Sequence, residues 1–170
     1  YPCVSDGTAV TRPQLLGSLT EIVGLALPSS AGLNRIRPLE LGSASETGIA
    51  WFPSNSVGKP YESIVSSVNE DGNEIAGIAM PDISVPIGTH TGFNPRHPRS
   101  GGVGQLVEYV GSTQFFEADE IERRYGDRST YLRLIREAAE KLVQERYLLV
   151  GDVELCVDIA MERYDYAMLA

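Results

Sequence analysis

Proline is absent from the last 72 residues of this 170-residue chain: all ten prolines lie at or before Pro98. Thirteen of the seventeen glycines likewise lie at or before Gly102. The first part of the chain is therefore punctuated by turn formers, and the last part is free to run as helix. Cysteine is scarce too, with only Cys3 and Cys156. No C-x-x-C or Cys/His spacing is present, which excludes the common zinc ligand sets, while a disulfide joining the ends stays open. There are two histidines, His90 and His97, seven apart across Pro95 and so not on one helical face. No apolar run reaches the ~20 residues that span a bilayer. The longest, Ile22 to Leu27, is interrupted by Gly24. Basic residues are outnumbered: 14 Lys and Arg against 23 Asp and Glu give a formal charge of −9. That balance argues against a nucleic-acid partner, because phosphate binding needs clustered cations. No charged-then-apolar leader opens the chain. The compartment stays undetermined, with export to follow if a leader precedes Tyr1.

What is present divides into three stretches. Residues 1–60 show little periodicity, and a loop-rich stretch of this length is expected to pack over another domain lying upstream in the same protein. Residues 61–102 begin with a β-prone run, Ser63-Ile64-Val65-Ser66-Ser67-Val68, followed by the turn signal Glu70-Asp71-Gly72-Asn73 and a second apolar run ending at Met80. This predicts a β-hairpin. Pro81, Pro86, Pro95 and Pro98 then make an extended, irregular segment, leading to the glycine-rich Gly101-Gly102-Val103-Gly104. Residues 103–170 read as helices: a short one over Ala118 to Arg124, one capped by Asp127 or Ser129 and running to about Arg146, and one beginning after Gly151-Asp152. The stripes Tyr131, Ile135, Ala138, Ala139, Leu142, Val143 and Val153, Cys156, Val157, Ala160, Met161, Tyr164 are the expected buried faces. The fold class expected is α+β, loop-rich and hairpin-bearing first, helical last.

The chemistry of the sequence is incomplete for catalysis. A serine hydrolase of the α/β type needs G-x-S-x-G on a strand-to-helix turn, and the sequence contains none. The nearest approach is Ser30, with Pro28 before it and Gly32 after it. Asp71-Gly72-Asn73-Glu74 has too few ligands for a calcium loop. Asp119, Glu120 and Glu122 suit the positive end of a helix better than a metal. The sequence calls for no cofactor. One segment stands out. Pro86 to Arg96 holds two glycines, small hydroxyls, Phe93, Asn94 and Arg96, so that backbone can approach a neighbour closely and Arg96 can grip a carboxylate. Thr89, His90, Thr91, Asn94 and Arg96 are its candidate binding or junction residues.

The stretch Val68 to Pro86, E-D-G-N-E-I-A-G-I-A-M-P at its centre, resembles the D-x-D-G-N-E-x-A-G-I-x-x-P signature of bacterial alpha/beta-hydrolase domain-containing proteins. Gly88-Thr89-His90-Thr91-Gly92-Phe93-Asn94-Pro95-Arg96 is similar to that family's T-Y-T-G-W-N-x-R, with His90 for its tyrosine and Phe93 for its tryptophan. Tyr1-Pro2 with Asp6-Gly7-Thr8, and Tyr131 to Val150, resemble its flanking segments, although the stretch from Phe116 to Tyr125 is shorter than usual. The resemblance implies an ester- or amide-hydrolase fold whose nucleophile, acid and histidine lie upstream of Tyr1. The chain would be its C-terminal, non-catalytic portion, completing the fold and lining a cleft for a small-molecule substrate. A stand-alone binding module using the Thr89–Arg96 loop is the alternative.

Overall fold

The helical half organises the fold. The computed structural model describes residues 1–20, 27, 37–49, 52–61, 63–102, 105–107 and 109–169. Helix α4 (Ala118–Tyr125) carries Asp119 and Glu120 in its first turn and Arg123 and Arg124 in its last, complementing the helix dipole at both ends. Helix α5 (Arg128–Gln144) is capped by Asp127, whose carboxylate accepts from the Thr130 backbone N–H at 2.8 Å. Just past it, Arg146 takes a positive φ of 67° and Tyr147 N–H turns back to the Leu142 carbonyl at 2.8 Å, which stops the helix. A 3₁₀ turn over Val150–Asp152 leads into α6 (Val153–Ala167).

Helices α5 and α6 pack along the stripes read from the sequence. Tyr131, Ile135, Ala139 and Leu142 are buried on α5, and Val153, Ala160 and Tyr164 on α6. Ile87, Ile121 and Ala167 complete one core cluster with Tyr131, Ile135, Ala160 and Tyr164. Tyr131 lies at its centre, 5.2 Å from the Tyr125 ring and stacked 5.3 Å from Tyr164. Arg128–Asp165 and Arg136–Glu154 pairs link the two helices. Being exposed, they set orientation more than stability.

Before the helices come three small antiparallel sheets. Strand β1 (Ala9–Thr11) leads into α1 (Arg12–Leu19), where Gln14 Oε1 accepts from both N–H and hydroxyl of Thr11. Strands β2 (Leu39–Glu40) and β3 (Asn55–Ser56) flank the short helix α2 (Ala44–Thr47) and pair with each other. Strand β4 (Ile64–Ser66) pairs with β1, Ala9 opposite Ser66. After α3 (Pro81–Ser84), β5 (Gly88–Thr91) pairs with β6 (Ser112–Phe115), Gly88 opposite Phe115. The architecture is mixed helix and small antiparallel sheets, in keeping with the expected α+β class.

The hairpin expected over 61–80 is replaced by a different pairing. The turn forms, but its two arms meet only at a Val68–Glu74 bridge, and the first arm joins β1 instead. Gly77 at φ 91° breaks the second arm, and Pro81 opens α3. Ile75, Ile78 and Met80 are left exposed.

The β5–β6 register depends on glycine. A Cβ added to Gly88 would lie 2.7 Å from the Gln114 carbonyl oxygen and 3.1 Å from Phe115 Cα, both backbone atoms that cannot swing away. Gly88→Ala is therefore expected to cost ~1–3 kcal/mol in chemical denaturation, with an unchanged slope. A midpoint equal to wild type would show that the two strands are further apart than this.

Candidate functional site

The turn at 69–73 is the hub around which the candidate site is assembled. Asn69 Oδ1 accepts from the N–H groups of Asp71 and Asn73, and Asn69 N–H donates to the Asn73 carbonyl at 2.8 Å. Gly72, at φ 75°, makes the reversal. Asn73 is fully buried. Its amide nitrogen donates to Gly88 O at 3.0 Å and its amide oxygen accepts from His90 N–H at 2.7 Å. One side chain thus satisfies one outward-facing donor and one outward-facing acceptor of β5, as a residue of a neighbouring strand would. Thr89 Oγ1 donates to the Asp71 carbonyl at 2.6 Å from a position that is 1% exposed.

The Asp71 carboxylate reaches away from the turn to Arg124 on α4, which donates to it through two nitrogens at 2.9 and 2.6 Å. Arg124 also donates from Nε to Glu120 at 2.6 Å and lies 4.4 Å over the Phe116 ring. The hydrogen bond to Asp71 is the main reason its guanidinium is more basic than usual. Tyr125 at the end of α4 donates to Pro86 O at 2.7 Å, and burial pushes its phenol up to about 12.

With β5 held on one side, a cleft of about 440 Å³ opens on the other. It is lined by Glu74, Ala76, Ile83, His90, Thr91 and Thr113, together with Ile78, Ala79, Gly111 and Ser112. His90 and Thr113 are cross-strand partners, and His90 Nδ1 lies 3.1 Å from Thr113 Oγ1. Burial lowers the imidazole pKa, Asp82 opposes that shift and Arg163 adds to it. Asp82 and Arg163 are paired at 2.6 Å. A neutral imidazole beside a hydroxyl can accept a proton or orient a polar ligand. Among the described residues the ring's hydrogen-bond partner is Thr113, and no carboxylate bonds it.

The residues singled out from the sequence separate into three groups. His90 and Thr91 line the cleft, and Thr91 Oγ1 also accepts from Phe93 N–H at 3.2 Å. Thr89 is turned inward and ties the turn to β5. Asn94 and Arg96 lie beyond the strand, on a small antiparallel excursion where Val107 N–H donates to Asn94 O and Arg96 N–H donates to Gln105 O. The Arg96 side chain is exposed and makes no ion pair among the described residues. His97 is also exposed, its Nδ1 accepting from Arg99 N–H at 3.2 Å. Cys3 and Cys156 are both free thiols. Among the described residues no three His, Cys, Asp or Glu side chains are grouped to hold a metal, and no helix is long and apolar enough to cross a membrane. Ser30 lies outside the described residues.

The sequence reading missed Asn73, Arg124 and Thr113. Asn73 was visible only as part of a turn, and Thr113 only as one polar residue among several. Arg124 appears in the sequence as one helix-terminal cation of two, and nothing in its spacing announces a partner 53 residues away.

Comparison with known families decides what this arrangement belongs to. The alpha/beta hydrolase domain profile matches residues 36–158, well over half of the chain. The chain belongs to the alpha/beta hydrolase domain family. No curated protein and no solved structure gives a match. The matched stretch of this alpha/beta hydrolase domain runs from β2 and β3 through the turn, the His90 cleft and α4, and ends within α6.

Within this alpha/beta hydrolase domain, His90 also predicts a pH dependence. Its pKa is lowered from the usual 6.5 by burial, so the unfolded chain binds the proton more readily than the folded one. Stability is then fully present above 6.5 and falls as the pH drops below it. Urea midpoints measured between about pH 7.5 and about pH 5 should decline more steeply for wild type than for His90→Gln. Parallel declines would place the sensitivity in other groups.

Proposed function

We propose that this chain is a non-catalytic, C-terminal portion of a serine hydrolase acting on ester or amide bonds, in which the His90–Thr113 cleft forms one wall of the substrate site. The observation that carries this reading is the coincidence of family membership with a missing nucleophile. The matched stretch holds a polar-rimmed cleft with a neutral imidazole, yet the sequence has no G-x-S-x-G to supply an attacking serine. The exposed apolar side chains before the turn add support. Leu39, Leu41, Ile49, Phe52, Val57 and Tyr61 are each more than a third exposed, as expected of a surface that another part of a larger protein covers.

The chain is expected to show no turnover of p-nitrophenyl esters and no stoichiometric labelling by a fluorophosphonate probe. In the whole protein, Ala76→Trp should fill the cleft and lower kcat/KM about tenfold with little change in melting. Covalent labelling of any serine between Tyr1 and Ala170 would sink the non-catalytic reading. Wild-type kinetics in Ala76→Trp would sink the assignment of the cleft.

A further inference from the structure

The two edges of the β5–β6 sheet are finished differently. On β5 the outward groups include Gly88 C=O and His90 N–H, and the Asn73 amide closes these two. The register then leaves Thr89–Gln114 and Thr91–Ser112 as the mutually bonded pairs, in phase with Phe116 N–H donating to Ile87 O at 3.0 Å. It follows that Thr113 and Phe115 direct their backbone N–H and C=O away from β5. None of those four groups has a partner among the described residues. Thr113 is exposed and Phe115 half-buried. This edge carries no proline, lysine or bulge of the kind that blunts free strands.

The charge beside it has one sign. The face that carries Thr89 and Gln114 opens into a cleft of about 400 Å³ lined also by Glu70, Asp71, Glu117, Asp119 and Glu120. The cations nearby are already engaged: Arg123 pairs with Glu120, and Arg124 with Asp71 and Glu120. Glu70, Glu117 and Asp119 have no ion pair among the described residues. A residue placed opposite Gln114 on an added strand would share its face and project toward these carboxylates.

We propose that the outer edge of β6 takes up a basic, extended peptide segment of a partner protein as an added strand. The backbone of the segment bonds to Thr113 and Phe115, and its Lys or Arg side chains lie over Glu117, Asp119 and Glu70. A second copy of the chain fits poorly, since it would bring the same unpaired carboxylates together on a molecule of net charge −9.

The test uses the full chain and a fluorescein-labelled probe, acetyl-Thr-Lys-Val-Lys-Val-Lys-Thr-amide, followed by fluorescence anisotropy at about 50 mM salt. Saturable binding is expected. It should weaken at least about tenfold when Glu replaces Lys in the probe, or when the probe is N-methylated at alternate residues along one edge. Thr113→Pro removes an outward N–H without touching a ladder bond and should weaken binding to a similar degree. So should the charge reversal Glu117→Lys with Asp119→Lys, each variant first matched to wild type by circular dichroism. If Thr113→Pro fails to fold, the methylated probe reports the same backbone contact on unaltered protein. Absence of saturable binding, equal binding of the methylated or Glu-containing probe, or a concentration-dependent dimer that excludes the peptide would each overturn the proposal.

Discussion

Asn73→Ala is expected to destabilise the protein by about 2–5 kcal/mol, because it strands two backbone groups at once, each costing about 1–3 kcal/mol when left unmade. Asn73 is completely inaccessible, and its amide holds Gly88 O and His90 N–H at 3.0 and 2.7 Å. Water has no ready way in to replace it. Asn73→Asp makes a sharper test. A carboxylate can accept from His90 N–H but cannot donate to Gly88 O, so at neutral pH it sets two acceptors facing each other. Protonating it restores a donor. The Asn73→Asp variant should therefore gain stability relative to wild type as the pH falls toward about 5, opposite in sign to the effect of His90. Denaturant midpoints across that range measure it, and an Asn73→Ala midpoint within about 0.5 kcal/mol of wild type would mean that the turn does not hold β5.

Tyr131→Ala is expected to cost about 3–5 kcal/mol, the range for removing a large aromatic side chain from a closed core. Tyr131 is 1% exposed and contacts rings from two other helices, Tyr125 on α4 and Tyr164 on α6. Its removal opens a cavity where three helices meet, and none of them can collapse inward without losing contacts elsewhere. Tyr131→Phe keeps the ring and should stay within about 1.5 kcal/mol of wild type. Thermal and denaturant unfolding followed by far-ultraviolet dichroism would register both. Equal, small effects from the two substitutions would locate the core elsewhere.

The helical half was readable because its signals are local. Asp127 caps its own helix three residues on, and a period near 3.6 placed Tyr131, Ile135, Ala139 and Leu142 on one face. The sheets were not readable for the opposite reason. Strand β5 is Gly-Thr-His-Thr and β6 is Ser-Thr-Gln-Phe, and neither shows an apolar alternation. Strand β4 is β-prone, but its partner is β1, more than fifty residues earlier, and no spacing rule points there. Half of the candidate site suffered in the same way. The segment around His90 was noticed for its composition, and His90 and Thr91 do line a cleft, whereas Arg96 attracted attention through its charge and lies exposed at a neighbouring turn.

The turn at 69–73 has a consequence for how the chain is made. Synthesis runs from the N-terminus, so Asp71 and Asn73 leave the ribosome before β5 does and well before Arg124, 53 residues later, emerges. During that interval the turn keeps its shape through its own Asn69 bonds and the Val68–Glu74 bridge. An apolar latch of the same length would spend the wait as a sticky surface. An amide and a carboxylate remain hydrated at no such risk, and they exchange water for protein only when their partners arrive. Keying the fold on polar groups thus lets the first-made part of the site stay idle and soluble until the last-made helices close on it.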